Sequence, residues 1–498
     1  MRRVVSVFLI LLFLGIHITS TAEETPFTFD VSLENRLAMI EPSYFELLGT
    51  LTLSAPVDRI ICSISNDRRH FEEYNSVYVP EKDALSVSLS SVVKKNAFIR
   101  LSPGEKTLKI ICERENLSET VLEIRFTVLG DVGAYSEITK KCDFISRQNL
   151  SYLKTGQYYR EHTSWRPNDK ENTLSVHLPS DENAKLIQLE WLVPPASFKF
   201  EVIDTDGNTD VLHSGTNINR FYSDVFYLPE DTKTVSITVD DYDSGLCALR
   251  VFSEEDKDIQ HWQPMPEKLD ILHISAHQDD ELLFFGGSIP YHAASGYKTG
   301  VLYMANCSRK RYAEALSGLW IAGVKYHPVF LGLTDGNVGR YEHALSLWNG
   351  FDHTVRLLTE EIRRLKPDVI ITHGEDGEYG HKQHIVTSNT VLAAVKAAAD
   401  PSCYPESFEK YGAWEVKKLY RHQTFGENVI KMDWNKPLDY FDGRTSLEMS
   451  EIAYNRHVSQ ISTIRYIFGI EYASDTFSLV HSTVGPDVIG GNFFENIE

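Results

Sequence analysis

Ala276-His277-Gln278-Asp279-Asp280-Glu281 is the first of two segments that decide how this chain reads. The second begins about a hundred residues later, as His373-Gly374-Glu375-Asp376-Gly377-Glu378-Tyr379-Gly380-His381-Lys382-Gln383-His384. Apolar, strand-like runs precede both, at 269–274 and 368–372. Further strands are expected at 300–304 and 329–333, and helical spacing at 311–324, 355–365 and 381–399. Such alternation implies a parallel sheet with helices on both faces. In an open parallel sheet, sites form beyond the carboxyl ends of the strands. The two segments are therefore expected to converge, with His381 and His384, three apart at a helix start, on one face.

Outside this block the pattern changes. Residues 26–130 read as all-β, with half-buried alternation in Leu122-Glu123-Ile124-Arg125-Phe126-Thr127-Val128. Cys62 and Cys112 have the separation of an inter-sheet bridge, so an immunoglobulin-like sandwich is expected, though without the tryptophan of antibody domains. Residues 131–258 read as a second β-sandwich, weakly like the sugar-binding jelly rolls of exported enzymes. Here Leu186-Ile187-Gln188-Leu189-Glu190-Trp191-Leu192 alternates, and Cys142 and Cys247 can staple the ends. Trp165, Trp191 and Tyr242 suit either core packing or stacking on a sugar, with packing the commoner use. After the prolyl linker Gln263-Pro264-Met265-Pro266, residues 265–498 form the α/β block, read as Rossmann-like with a mostly parallel sheet.

A chain of 498 residues suits about three domains. Its formal charge of -21 argues against a nucleic-acid backbone or an anionic bilayer as partner. Met1-Arg2-Arg3, an apolar run over 4–18 and Ser20-Thr21-Ala22 read as a secretory signal peptide, residues 1–22. The chain is therefore expected to be secreted or to lie in the cell envelope, with no later run suited to cross a membrane. Six cysteines in an exported chain suggest disulfides, one per domain.

The chemistry follows from the residue types. His277, Asp280 and His384 make a two-histidine, one-carboxylate set, which leaves a position open on a catalytic zinc ion. Asp279 is then free as a base, and His381 to protonate a leaving amine or steady an oxyanion, with Tyr379 as a second donor. Asp279 and Asp280 also suit a helix N-cap. Cys307 reads as a ligand, a nucleophile, a buried thiol or a partner of Cys403, the last two favoured in an exported chain. His273 lies within its strand and reads as structural, while His353 and His422 have no motif around them and read as surface or core residues.

From about residue 269 onward the chain resembles the PIG-L (LmbE-like) family of zinc-dependent de-N-acetylases. Residues 276–281 match that family's Ala-His-Pro-Asp-Asp-Glu motif with Gln278 for proline. Tyr379-Gly380-His381 and His384 match its Gly-Tyr-Gly-His run, with Glu378 in place of the first glycine. The resemblance implies zinc on His277, Asp280 and His384, Asp279 as general base, and His381 and Tyr379 assisting the tetrahedral intermediate. Arg311 and Glu314 match its arginine-glutamate helix, with Arg311 as a substrate contact, and Asp335-Gly336-Asn337 matches its aspartate-glycine loop. Tyr454, His457, Ser459 and Gln460 match a late segment near the substrate. Gln383 replaces an acidic or amide residue and is expected to alter the surroundings of His384 or His381. The implied activity is removal of acetyl from an N-acetylglucosamine-type sugar or glycan. An amidase on another conjugate, or a glycan-binding adhesion protein with a relic catalytic block, are the alternatives. Another divalent ion would also suit the ligand set.

Overall fold

The computed structural model describes residues 27–497 apart from 35–36, 38, 41–44, 67–70, 95, 100, 102–103, 116, 129–136, 151–152, 154–163, 256–258, 307, 337, 423–427 and 462–473. The expected signal segment, Cys307 and Asn337 lie outside the described residues. No helix among the described residues is long and apolar enough to cross a membrane. The chain divides into two compact units, residues 1–132 with 460–471, and 133–459 with 472–498.

The first unit holds two sheets. One orders Phe29–Leu33, Gly49–Leu53 and Ser86–Ser88; the other orders Met39–Ile40, Leu117–Val128, Gly104–Arg114, Arg59–Asn66 and Phe71–Tyr78. Ile60, Cys62 and Ile64 alternate inward and join Leu51, Leu108, Ile110, Phe98 and Phe126 in one core. The expected bridge is not formed. Cys62 pairs in register with Ile110, and Cys112 with Ile60, so both cysteines lie on neighbouring strands of one sheet instead of facing each other across two. Both are thiols, pushed up to about 12 by burial.

The β part of the second unit is also two sheets. Thr209–Thr216, Ser197–Asp204, Thr232–Val239, Thr173–His177 and Asp143–Ile145 form one; Ser223–Tyr227, Leu186–Val193 and Gly245–Phe252 form the other. Leu186–Val193 is buried almost throughout, where its sequence alternates. It is the central strand of its sheet and is covered on both sides. Ile187, Leu189 and Trp191 enter the core, while Leu186 packs on Phe252 and Ile259. Gln188 Nε2 donates to Ser223 Oγ at 3.0 Å, while its Oε1 is buried without a hydrogen-bond partner among the described residues. Cys142 and Cys247 form no staple; both are thiols, and Cys247 donates to the Glu190 carbonyl. Trp165 and Trp191 are core residues, and Tyr242 is 52% exposed.

The α/β part carries a seven-stranded sheet in the order Val329–Thr334, Thr299–Asn306, Ile271–Ser275, Val369–Thr372, Lys418–His422, Thr476–Ser482, Val429–Lys431. The first five strands are parallel and the last two antiparallel to their neighbours. Ile271–Ser275 and Val369–Thr372 are buried at every position, as central parallel strands covered on both faces must be. The Lys382–Ala399 helix, which bears His384, is held at its far end by Arg363. That buried guanidinium donates to the carbonyls of Ala397 and Ala398 in the helix's last turn, groups the terminus leaves without intrahelical donors, and to those of Asp400 and Tyr404 just beyond it. The β part and the α/β part are joined by Arg309, which donates to the Trp191 and Tyr222 carbonyls and lies 4.9 Å from the Tyr222 ring centre.

Trp191 separates a packing role from a sugar platform. It is fully buried, and its Nε1 donates to Asp224 Oδ2 at 2.7 Å. Trp191→Ala is expected to cost about 3–5 kcal/mol in guanidinium unfolding of the whole chain. A cost below roughly 1 kcal/mol would contradict a core role.

Candidate active site

Both ligand-bearing segments leave the sheet side by side, because Ile274 pairs with Thr372 in the parallel register. Thr372 Oγ1 donates across to the Ile274 carbonyl at 3.0 Å, and the Ala276 N–H donates to His373 Nε2 at 2.9 Å. The turn that follows is strained: Asp279 has φ 122°. That region is sparsely populated by residues with a side chain, and strain of this kind collects at functional sites. It is held by Asp279 N–H donating to Glu281 Oε2 and His277 N–H donating to Asp280 Oδ2, each at 2.9 Å. On the second segment, Gly377 has φ 68°, and a Cβ there would sit 2.6 Å from the His381 carbonyl oxygen. Only glycine closes this loop without a clash.

Three donor atoms converge. Asp280 Oδ2 lies 3.0 Å from His277 Nδ1 and 3.1 Å from His384 Nε2, and the two nitrogens are 3.3 Å apart. Atoms about 2.0–2.1 Å from a tetrahedral ion stand about 3.3 Å from one another, so this triangle matches one face of such a site. The ring protons suit it as well. Glu378 Oε2 accepts from His384 Nδ1 at 2.7 Å, which turns the lone pair of Nε2 inward. Gln383 Nε2 donates to the Thr334 carbonyl, so its Oε1 faces His277 Nε2 at 2.9 Å and leaves His277 Nδ1 for the triangle. The substitution at 383 therefore acts on His277. His381 closes the group, its ring centre 4.9 Å from that of His277 and 4.5 Å from that of His384.

The electrostatics also fit a cation. Burial works against charge on His277 and His384, yet Asp280 overrides it, with Asp335 on the first and Glu378 on the second. The rings are pushed up to about 10 and about 9. Asp280 is held well below the carboxylate range against its own burial, by His384 and His277. A divalent ion at this cluster would therefore bind by displacing protons from His277 and His384. Burial and the neighbouring rings push His381 down to about 3, so its imidazole is neutral. Its Nδ1 is buried without a hydrogen-bond partner among the described residues.

The other expected residues are placed as follows. Asp279 is buried beside the triangle, and burial pushes its carboxyl up to about 6 although Arg311 opposes it. Arg311 donates to Asp279 Oδ1 at 2.6 Å and to the Gln278 carbonyl, so it braces the strained turn. Asp335 Oδ1 lies 3.4 Å from His277 Nε2. Tyr379 is 46% exposed, with its ring on His381 and His384. His457 is fully buried, 3.6 Å from Glu281 Oε1, in the layer behind Asp279. Glu314 accepts from Ser459 N and Oγ. Gln460 stands at the start of the segment grouped with the first compact unit. The sequence assigned no role to His373, His422 or the side chain of Glu378, yet all three meet. Glu378 takes His373 Nδ1 and His422 Nδ1, each at 3.1 Å. The one signal was that Glu378 stands where a glycine was expected.

Comparison with known proteins agrees in location. The family model described as GlcNAc-PI de-N-acetylase, PIG-L, matches residues 272–395. A 1D-myo-inositol 2-acetamido-2-deoxy-alpha-D-glucopyranoside deacetylase of Segniliparus rotundus is 30% identical over 232 residues, which is 39% of this chain and 70% of that protein. The enzyme of the same description from Geodermatophilus obscurus is 29% identical over 178 residues, 30% of this chain; this chain spans 60% of its length. Among solved structures, the N,N'-diacetylchitobiose deacetylase from Pyrococcus horikoshii aligns with 18% identity over 39% of this chain and 70% of that one, at a TM-score of 0.28.

The ligand set is separable from its neighbours by metal analysis. Asp280→Ala and His384→Ala are expected to lose stoichiometric zinc, and His381→Ala to keep it. Because the ion must displace ring protons, zinc affinity should rise with pH across the neutral range, with proton release in calorimetry. Full zinc retention by Asp280→Ala would refute the triangle as the metal site.

Proposed function

This chain belongs to the PIG-L family, and on that premise we propose that it is a zinc-dependent hydrolase that removes acetyl from an N-acetylglucosamine-type sugar or glycoconjugate. The observation that carries this reading is the convergence of His277 Nδ1, His384 Nε2 and Asp280 Oδ2 beside a buried Asp279. An ion held by those three residues supplies Lewis acidity and acidifies water.

The chain's own groups account for the rest. Asp279, oriented by Arg311 at Oδ1, takes a proton from the attacking water. The water oxygen bonds to the acetamide carbon, and the carbonyl oxygen becomes an oxyanion. His381, neutral and pressed against the triangle, donates an N–H toward that oxygen, with Tyr379, whose ring lies on His381, as a second donor. The carbon–nitrogen bond then breaks, the amine nitrogen takes up the proton, and acetate and a free amino sugar leave. Export, expected from residues 1–22, belongs to this proposal and puts envelope or extracellular glycans within reach. So does the reading of the paired antiparallel sheets as sandwiches and of the α/β part as Rossmann-like.

The test is acetate release from a panel of N-acetylglucosamine compounds by the mature protein, with zinc and with chelator. Zinc-dependent acetate is expected, and Asp279→Asn should lower kcat about 10²–10⁴-fold. Asp279 must be ionised to act, so kcat/KM should climb as pH rises through about 6 and fall away below it. Stoichiometric zinc without acetate, but with a larger acid released from another conjugate, would replace the deacetylase by a different amidase.

A further inference from the structure

Glu378 has φ 61°, in the left-handed region that glycine adopts freely and a residue with a Cβ adopts at a cost. Its side chain is fully enclosed and every acceptor position on it is used. Oε2 accepts from His384 Nδ1 at 2.7 Å and His373 Nδ1 at 3.1 Å; Oε1 accepts from His422 Nδ1 at 3.1 Å and the Gly374 N–H at 3.0 Å. Four donors match the four lone-pair sites of a carboxylate. A carboxylate here only accepts, so each of the three rings carries its proton on Nδ1.

We propose that Glu378 is a positioning residue that presets both halves of the metal centre. On His384 it fixes the tautomer that directs Nε2 at Asp280 and His277. On His373 the same tautomer leaves Nε2 as an acceptor, and that atom takes the N–H of Ala276, the residue before His277. One carboxylate therefore orients one ligand directly and anchors the backbone that carries another. Phe284 lies against His373, His384 and His422 and keeps this group dry, which strengthens each contact. The left-handed backbone is retained because only a side chain at this position reaches all three rings. Glutamine would offer one acceptor oxygen and set an NH₂ against ring N–H groups, and glycine would offer nothing.

This inference rests on the metal-binding part of the proposed function. The test is zinc competition against a chelating indicator of known affinity, using the full chain with Glu378, Glu378→Gln or Glu378→Gly. Visible spectra of the Co2+-loaded forms and melting of the metal-free forms accompany it. Glu378→Gln keeps the volume and Glu378→Gly relieves the backbone. Folded variants are expected to bind zinc about 10–100-fold more weakly and to show an altered Co2+ band. A folded variant with wild-type affinity and spectrum overturns the proposal. Nitrogen NMR of the zinc-loaded wild type gives an answer that needs no variant: His373 and His384 should both carry Nδ1 protons, and ligation through His384 Nδ1 overturns the proposal. Wild-type protein that binds no zinc fails the metal reading and this inference together, whereas equal binding by wild type and variants removes this inference alone.

Discussion

Parallel pairing of Ile271–Ser275 with Val369–Thr372 is the constraint on which the site depends. Neither segment binds anything by itself: one brings His277 and Asp280, the other His384. Hydrogen bonding in register places their carboxyl ends level, and both strands are buried at every position, so a slip would exchange the side chains packed on the two covered faces. The Ala276 N–H to His373 bond continues the pairing one step beyond the sheet. The chemistry begins where that ladder stops.

The site stores opposing costs within a small volume. Asp280 and Glu378 are buried carboxylates, and burial alone would neutralise them. Asp280 is kept ionised by His384 of the second segment and His277 of its own, and Glu378 by His373, His384 and His422. The unfavourable φ of Asp279 is braced from two sides, by Glu281 on its N–H and Arg311 on its carboxylate. A single carboxylate near neutrality beside strongly ionised ones results from burial and neighbours acting differently on adjacent residues.

What could be read from the sequence divides along the same line. The alternation of strands and helices was legible, as were the residue types of the candidate site, because both are local patterns. His422 looked like an isolated histidine and Glu378 like a departure from a motif, because their partners come from other strands and loops. Gln188 and Glu190 gave Leu186–Val193 an alternating pattern, yet that strand is buried on both sides, with Gln188 Nε2 donating to Ser223. The antiparallel strands Thr476–Ser482 and Val429–Lys431 carried no signal that distinguished them from loops. Cysteine spacing misled at Cys62 and Cys112, since separation along a chain does not say whether two strands are neighbours in one sheet or face each other across two.

The helix Arg309–Ile321 has a consequence for modularity. Its first residue grips the β part through the Trp191 and Tyr222 carbonyls, and its third holds Asp279. In this chain the grip on the β part and the brace of the strained turn share one helical turn, so exchanging the β part for another module would require rebuilding the start of that helix.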